Sequence, residues 1–539
     1  MDATKLMGVE APPRYWVVLE TGSNQDFVFE SIRQRFTVGA SALLKRLPLW
    51  VEAAKEQTTG VSIVVNTSGK ALLLVSDRAV GRSIVHDVTK RALVEAPGLD
   101  LWGYVEDDDD VTAGGKDPMG RLGRLHAHHA AVRYQRVSPL ARFPMHPFLE
   151  SCVTTGRPAV DLGTDGASSA APSSALALAA RSQAGDAIAA IQQESGYGSA
   201  VVRALDKEIT NGGWVAVIHA DGNGIGDVIT KISRQDELVN FSKALESATT
   251  GALQDAVTGI QTLLDADGKG ETRKDWLFPL IIGGDDVTLL CDGRLALDLV
   301  RKYLVSFEHR TASDTNSHMA PTLDKCGLDH LSASAGIAFV KPHFPYHAAC
   351  ELAEELARNA KDVKNQDAPI NRRSSYDFHV LHDSVIAPLS TIRERLDGAN
   401  GAFLWPGPFL VSEPDRELQE GWETAHDDGW LVSGIAELAG PRDEQVLSQT
   451  SLHELREAIL VDALKQPVAG SGFVVGAATG RARSKIAAHS RSPRSLAKMN
   501  ELLTPHGDGT AIGLLAVLDL ADIAAGVSAG QRAEGGNQK

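Results

Sequence analysis

A chain of 539 residues is longer than one hydrophobic core normally supports, so several domains are expected. Hydrophobic content of 43% and charged content of 23% are ordinary for a globular protein, and no apolar run approaches the roughly 18 residues of a membrane span. A net charge of −16 argues against nonspecific nucleic-acid binding by the surface as a whole, though not by a local basic patch.

The first residues lack the charged and apolar regions of a signal peptide. Cys152, Cys291, Cys326 and Cys350 are too scattered for a disulfide framework or a zinc pattern, so a reducing cytoplasm is the expected setting. Residues 15–160 read as a first α/β domain. Residues 15–19 form a strand, a helix passes through 39–44, and 61–65 with 71–75 make a hairpin about the turn 66–70. The acidic run 106–110 reads as a solvated loop. His126, His128 and His129 lack the carboxylate or cysteine partners of a metal site. Residues 161–176, rich in Gly, Ser, Ala and Pro, read as a linker, and 178–193 as a helix.

The most informative stretch comes next. An apolar strand over 214–220 stops at Asp221 and enters the loop Gly222, Asn223, Gly224, Ile225, Gly226. Residues 237–264 are helix-compatible and long enough to carry the chain back alongside that strand. Then 277–282 and 287–291 read as two short buried strands around Gly283, Gly284, Asp285 and Asp286, a tight turn whose two glycines are expected at positive φ. Beyond residue 385 the chain turns helical in flavour, with a Pro/Gly/Trp break at 405–409 and a capping-box start at Ser451 and Glu454. From 463 to 500 there is no acidic residue, yet Lys465, Arg481, Arg483, Lys485, Arg491, Arg494 and Lys498 occur. That segregation suits phosphate or RNA binding, or else merely solvated helix faces. Residues 514–523 form a last apolar helix.

Three carboxylates on one sheet edge repel one another and are costly unless a cation neutralises them. Oxygen-only ligands favour Mg²⁺ or Mn²⁺, so Asp221, Asp285 and Asp286 are the expected metal ligands and catalytic residues. Two such ions can activate a hydroxyl and hold a triphosphate for in-line displacement. The glycines around Asn223 would let backbone N–H groups approach phosphate oxygens.

Asp221 to Gly226 together with Gly283 to Asp286 resembles the catalytic palm of the large polymerase/cyclase subunit of type III CRISPR effector complexes, itself related to GGDEF nucleotide cyclases. Residues 332–339, with Ser334, resemble the family's last palm strand; 346–364 resemble the helix after it, whose lysine, here Lys361 with Lys364 nearby, meets nucleotide phosphates. The resemblance implies an α+β fold: two ferredoxin-like palm domains joined by a helical connector, then a C-terminal helical domain. The expected boundaries are 1–160 for a non-catalytic first palm, 161–212 for linker and connector, 213–385 for the catalytic palm, and 386–539 for the rest. In the first palm Lys70 stands where the catalytic copy has aspartate, and Glu20 is the carboxylate at the equivalent strand end. The family's zinc-ribbon segment is reduced here to Cys152 and Gly156, with Thr155 in place of a second cysteine, so no zinc is expected. No N-terminal HD nuclease domain fits before Tyr15, and the pairs His86–Asp87, His382–Asp383 and His426–Asp427 are taken as incidental. The implied reaction joins ATP into cyclic oligoadenylates, with crRNA, target RNA and other effector subunits as implied partners. Two alternatives stand beside it: a non-catalytic RNA-binding scaffold, and a stand-alone cyclic dinucleotide synthase.

Overall fold

The apolar run near the start becomes strand β1 (Tyr15–Gly22), whose Trp16, Val17, Val18 and Leu19 are fully buried. In this computed structural model the described residues are 14–525, except 32–33, 115–116, 137–142, 165–169, 194–196, 198–199, 202–212, 267–274, 363–372, 383–385, 397–403, 413–425, 440–448, 464–476, 490–496, 498–500, 502–504 and 507–510. Helices α1 (Asn24–Val28), α2 (Gln34–Leu44) and α3 (Leu47–Glu56) lead to the hairpin β2 (Val61–Asn66) and β3 (Lys70–Val75). Helix α4 (Arg78–Glu95), capped by the Asp77 carboxylate on the Ala79 N–H at 2.7 Å, crosses to β4 (Asp100–Val105). The order β2-β3-β1-β4, antiparallel throughout, is the ferredoxin-like arrangement.

Helices α5 (Asp108–Gly114) and α6 (Leu122–Gln135) follow, and α6 lies against β1 and β4. The acidic run 106–110 is not the solvated loop expected. Glu106 is 1% exposed and accepts from the Arg121 guanidinium at 2.6 and 3.0 Å and from the Trp16 N–H at 3.0 Å. Asp110 is also buried and accepts from the Tyr104 hydroxyl at 2.8 Å. A run of like charge in the sequence does not show which cation the fold will bury with it. The linker at 161–176 also differs from expectation. It contains a hairpin, β5 (Asp161–Thr164) with β6 (Ala170–Ser173), before α7 (Ala175–Gln193) packs along α2. In the shortened ribbon segment, hydroxyls do the bonding: Thr155 Oγ1 meets Ser174 Oγ at 3.0 Å, and Cys152 Sγ meets Thr154 Oγ1 at 3.2 Å.

A second unit repeats the first. Strand β7 (Val215–Gly222), helices α8 (Ile225–Thr230) and α9 (Gln235–Ala266), strands β8 (Leu277–Gly283) and β9 (Asp286–Asp292), helices α10 (Gly293–Thr311) and α11 (Ala320–Cys326), and strand β10 (Ala333–Val340) build the order β8-β9-β7-β10. Helix α12 (Tyr346–Asp362) crosses over to β11 (Ser375–Val380), parallel to β10; after α13 (Leu389–Leu396), β12 (Phe409–Leu410) completes six strands. The break at 405–409 therefore ends in a strand that pairs with β11.

Helix α12 lies directly on β10 because Gly336 has no side chain. A Cβ there would stand 1.9 Å from the Ala353 carbonyl oxygen and 2.5 Å from the Ala357 nitrogen. The buried stripe Ala349, Cys350, Ala353, Leu356, Ala357 and Ala360 makes that contact, at the spacing of an amphipathic helix. At the other edge, β8 tolerates Pro279 as an edge strand can, and the first unit covers it: Ser41 of α2 donates to the Leu280 carbonyl.

The remaining chain is mostly helical: α14 (Gly429–Ala439), α15 (Gln449–Ala463), α16 (Ala477–His489), the small hairpin β13 (Pro505–His506) and β14 (Ala511–Ile512), and α17 (Leu514–Ala525). Helix α15 begins upstream of Ser451, so the capping box is not its start. Buried carboxylates fasten this region to the second sheet. Asp428 accepts from Arg301 Nε at 2.6 Å and the Tyr376 hydroxyl at 2.9 Å, and Asp519 meets Arg456 Nε at 2.6 Å and His382 Nε2 at 3.2 Å. The fold is α+β, with two ferredoxin-like palm sheets, a helical connector and a mostly helical C-terminal part.

Candidate active site

Strand β7 brings Asp221 to the end of the central pairing. Its partner across β10 is Ser334, and Ala220 before it pairs with Val287 on β9, so Asp286 at the start of β9 lies one step beyond, beside Asp221. Gly283 pairs with Asp286, leaving Gly284 and Asp285 as a two-residue loop. Only Gly284 has positive φ (64°); Gly283 is held extended by its ladder partner, so one glycine, not two, meets the turn's conformational demand. Asp285 folds back against the other loop, and a Cβ on Gly222 would stand 2.9 Å from its Oδ2.

The three acids thus meet although they are far apart in the chain. Crowding by protein atoms and the charge of Asp221 push Asp285 up to about 7. The same burial, with the charges of Asp221 and Asp285, raises Asp286 well above the usual carboxylate range, although its side chain still faces solvent through the cleft. Lys361, from the last turn of α12, donates to Asp221 Oδ2 and to the Gly222 carbonyl at 3.2 Å. One ammonium cannot balance three carboxylates, so the cluster is short of positive charge. By donor type it fits a hard divalent cation. Among the described residues no group of three metal-ligating side chains stands ready-made.

Two of the acids, Asp221 and Asp286, open into a cleft of about 540 Å³, a size that suits a nucleotide. Its second-sheet wall carries His219, Thr288, Glu354 and Arg358 besides Asp221, Asp286 and Lys361; its opposite wall is Ser23, Asn24, Gln25 and Asp26 of the first unit. The motif reading missed these residues, though periodicity held a signal for some. His219 is two residues before Asp221 and so shares its strand face, while Glu354, Arg358 and Lys361 recur at helical spacing. His219 Nδ1 lies 3.1 Å from Thr288 Oγ1, and burial holds the imidazole down to about 4, neutral at pH 7.

Other predicted residues lie elsewhere. Ser334 is fully buried, donating to Asn223 Oδ1 at 2.9 Å and lying 3.0 Å from Ser375 Oγ. Asn223 bonds Ser332 through both its backbone N–H (2.8 Å) and its Nδ2 (3.0 Å), so this pair braces the floor beneath the loop. Ile225 is buried, Gly224 (φ 67°) starts α8, and Gly226 lies within that helix. Lys364 lies outside the described residues.

The first unit carries a reduced copy of this geometry. Glu20 pairs across the strands with Lys70, and His129 of α6 sits on it at 3.2 Å, as Lys361 of α12 sits on Asp221. Burial alone would raise the Glu20 carboxyl, but the His129 hydrogen bond and the Lys70 charge bring it below the ordinary value. Ser23 (φ 49°) begins α1 in the left-handed conformation that Gly224 adopts before α8. Where the second unit gathers uncompensated acid, the first has neutralised its own.

Comparison with known proteins bears on the same stretch. The family description "Cas10/Cmr2, second palm domain" matches residues 214–369. No curated protein matches the chain. Among solved structures, a Csm1–Csm4 cassette in complex with cA4 is 11% identical with a TM-score of 0.46, covering 95% of this chain and 70% of that one. The cassette with cA3 gives 11%, 0.47, 97% and 71%. Csm1 of T. onnurineus gives 11%, 0.43, 95% and 70%. Nothing about this chain's activity follows from likenesses so distant. The stretch holding the acid cluster is thus similar to a second palm domain of the Cas10/Cmr2 kind, the palm of the Cas10-like large subunits of type III CRISPR systems.

Proposed function

We propose that this chain is a metal-dependent nucleotidyltransferase that joins ATP into 3′–5′-linked cyclic oligoadenylates and releases pyrophosphate. The observation that carries the reading is the meeting of Asp221, Asp285 and Asp286, short of positive charge, beside a nucleotide-sized cleft that Asp221 and Asp286 line. These carboxylates would hold Mg²⁺ or Mn²⁺, which when bound supplies charge for the triphosphate and acidity for the attacking 3′-hydroxyl. Gly222 to Gly226 would pass along the triphosphate. Lys361, freed from Asp221, would neutralise it from α12, and Arg358, on the same helix face, offers a second cation. Neutral His219 offers the cleft an uncharged hydrogen-bonding group. The first unit's residues 23–26 form the opposite wall. The preference for adenine and the cyclic product rest on family resemblance, as does a working life beside other effector subunits.

The test is the Asp285→Ala/Asp286→Ala double variant, incubated with labelled ATP and Mg²⁺ or Mn²⁺, with and without RNA, and its products resolved by mass spectrometry. Product should vanish, while the metal-free thermal midpoint holds or rises because two mutually repelling carboxylates are gone. Undiminished synthesis would remove the assignment. Dinucleotides from GTP in the native protein would favour a stand-alone cyclase instead.

A further inference from the structure

One residue of β7 is out of character with its apolar run. His219 follows Val215 to Ile218, all buried, and precedes buried Ala220, yet it is only half-buried and lines the cleft. Its ladder partner on β10 is Gly336, which has no side chain to cover the ring, and its partner on β9 is Thr288. His219 Nδ1 lies 3.1 Å from Thr288 Oγ1. Burial of Thr288 decides which way that bond runs. Thr288 is 1% exposed, and among the described residues its hydroxyl has no other hydrogen-bond partner. A buried hydroxyl proton needs an acceptor, and Nδ1 is the one within reach. Nδ1 therefore accepts from Thr288, which places the ring proton on Nε2. Among the described residues Nε2 bonds no protein atom, so its N–H is left for whatever occupies the cleft.

His219 stands two residues before Asp221 on the same strand face, about 7 Å along β7. The proposed reaction brings a ribose 3′-hydroxyl to Asp221. The 2′-hydroxyl sits on the neighbouring ribose carbon and is the next hydrogen-bonding group of the attacking nucleoside. Phosphates have Lys361 and Arg358 on α12, whereas the strand floor beside Asp221 offers His219 and Thr288. We infer that His219 is a specificity-determining residue: its Nε2–H donates to the 2′-hydroxyl oxygen of the attacking nucleotide and selects ribonucleotides over 2′-deoxyribonucleotides. Thr288 is the positioning residue that fixes the tautomer. The inference deepens the nucleotidyl-transfer reading and rests on its placement of the 3′-hydroxyl. A site built to bond a hydroxyl discriminates against the analogue lacking it, because its own donor is then left unpaired.

Two ATP analogues test this on the full chain without turnover. 3′-Deoxy-ATP keeps the 2′-hydroxyl and 2′,3′-dideoxy-ATP lacks it, while neither carries the attacking group. Their affinities are read by displacement of a fluorescent ATP analogue in Mn²⁺. The native protein should bind 3′-deoxy-ATP about five-fold or more tightly than the dideoxy analogue. In His219→Phe the ratio should fall to about one, through weaker binding of 3′-deoxy-ATP alone. Thr288→Val, close in volume, should lose about half of the preference or more, and no loss there would strike its orienting role. A merely structural role for His219 would weaken both analogues equally and leave the ratio intact. An intact ratio in His219→Phe, or no preference in the native chain, overturns the proposal. Product formation from ATP, measured separately, tells the two readings apart. Product without a 2′ preference removes only the His219 assignment, whereas a preference without product removes nucleotidyl transfer and leaves ribose recognition.

Discussion

Lys361 shows how a single residue's meaning depends on what surrounds it. Resemblance gives it to the triphosphate, whereas the structure places it on Asp221, where it serves as the only cation bonded to the acid cluster among the described residues. Replacing it by Met should lower the melting temperature of the metal-free protein, and Mn²⁺ should raise the variant's midpoint by more than it raises the native one. Equal Mn²⁺ shifts in calorimetry would show that Lys361 and the ion do not share Asp221. Arg121 is a second case. Changing it to Met strands Glu106 in the core beside Trp16, at a cost of about 3–5 kcal/mol, measurable as a lowered urea midpoint. Residue types were legible here, and pairings were not. Asp285 and Asp286 declare themselves as adjacent acids between apolar runs, but that Glu106 would find Arg121, or His129 Glu20, depends on contacts between separate elements.

Elements were legible where their periodicity was strong. Strands β1, β3, β7 and β9 read as apolar runs because they are buried on both sides, and α9 ends within two residues of the span its composition predicts. Helix α4 and strand β4 are not legible in the sequence, since α4 mixes apolar and polar residues without a sharp stripe and β4 opens with Asp100. The hairpin in the 161–176 stretch was hidden by linker-like composition. Most decisive for the site is the seat of α12 on β10, which aims Lys361 and Arg358 into the cleft. Gly336→Leu would drive a side chain into the Ala353 backbone, so the helix must lift. Destabilisation of about 2–3 kcal/mol or more is expected. Nucleotide binding, followed by a fluorescent ATP analogue, should fall even where the protein stays folded; unchanged binding would mean α12 does not set the cleft.

Across the whole molecule, stability against pH reports two opposed groups of buried charges. Burial, helped by Arg393, holds His379 down to about 3, and burial keeps His126 and His219 near 4. The unfolded chain binds those protons at an ordinary histidine pKa and the folded one does not, so acidification from about pH 6.5 toward 4 destabilises the fold. Asp285 and Asp286 work the other way. Their folded forms take protons more readily than the unfolded chain, so the same acidification relieves strain in the metal-free protein. His379→Gln should therefore lessen the loss of melting temperature between pH 7.5 and 5, and Asp285→Asn/Asp286→Asn should deepen it. Identical pH profiles for both variants and the native protein would contradict these burial effects. The sequence by itself determined the acids, the turn that carries two of them, the apolar strands and the duplicated strand–helix–hairpin order, because each is a local pattern of residue type and spacing. Only the tertiary structure decided that Asn223 and Ser334 brace one another, that Lys361 lies on Asp221, and that residues 23–26 of the first unit wall the cleft. Those outcomes follow from register, close helix packing and the docking of two separate sheets, none of which a linear pattern encodes.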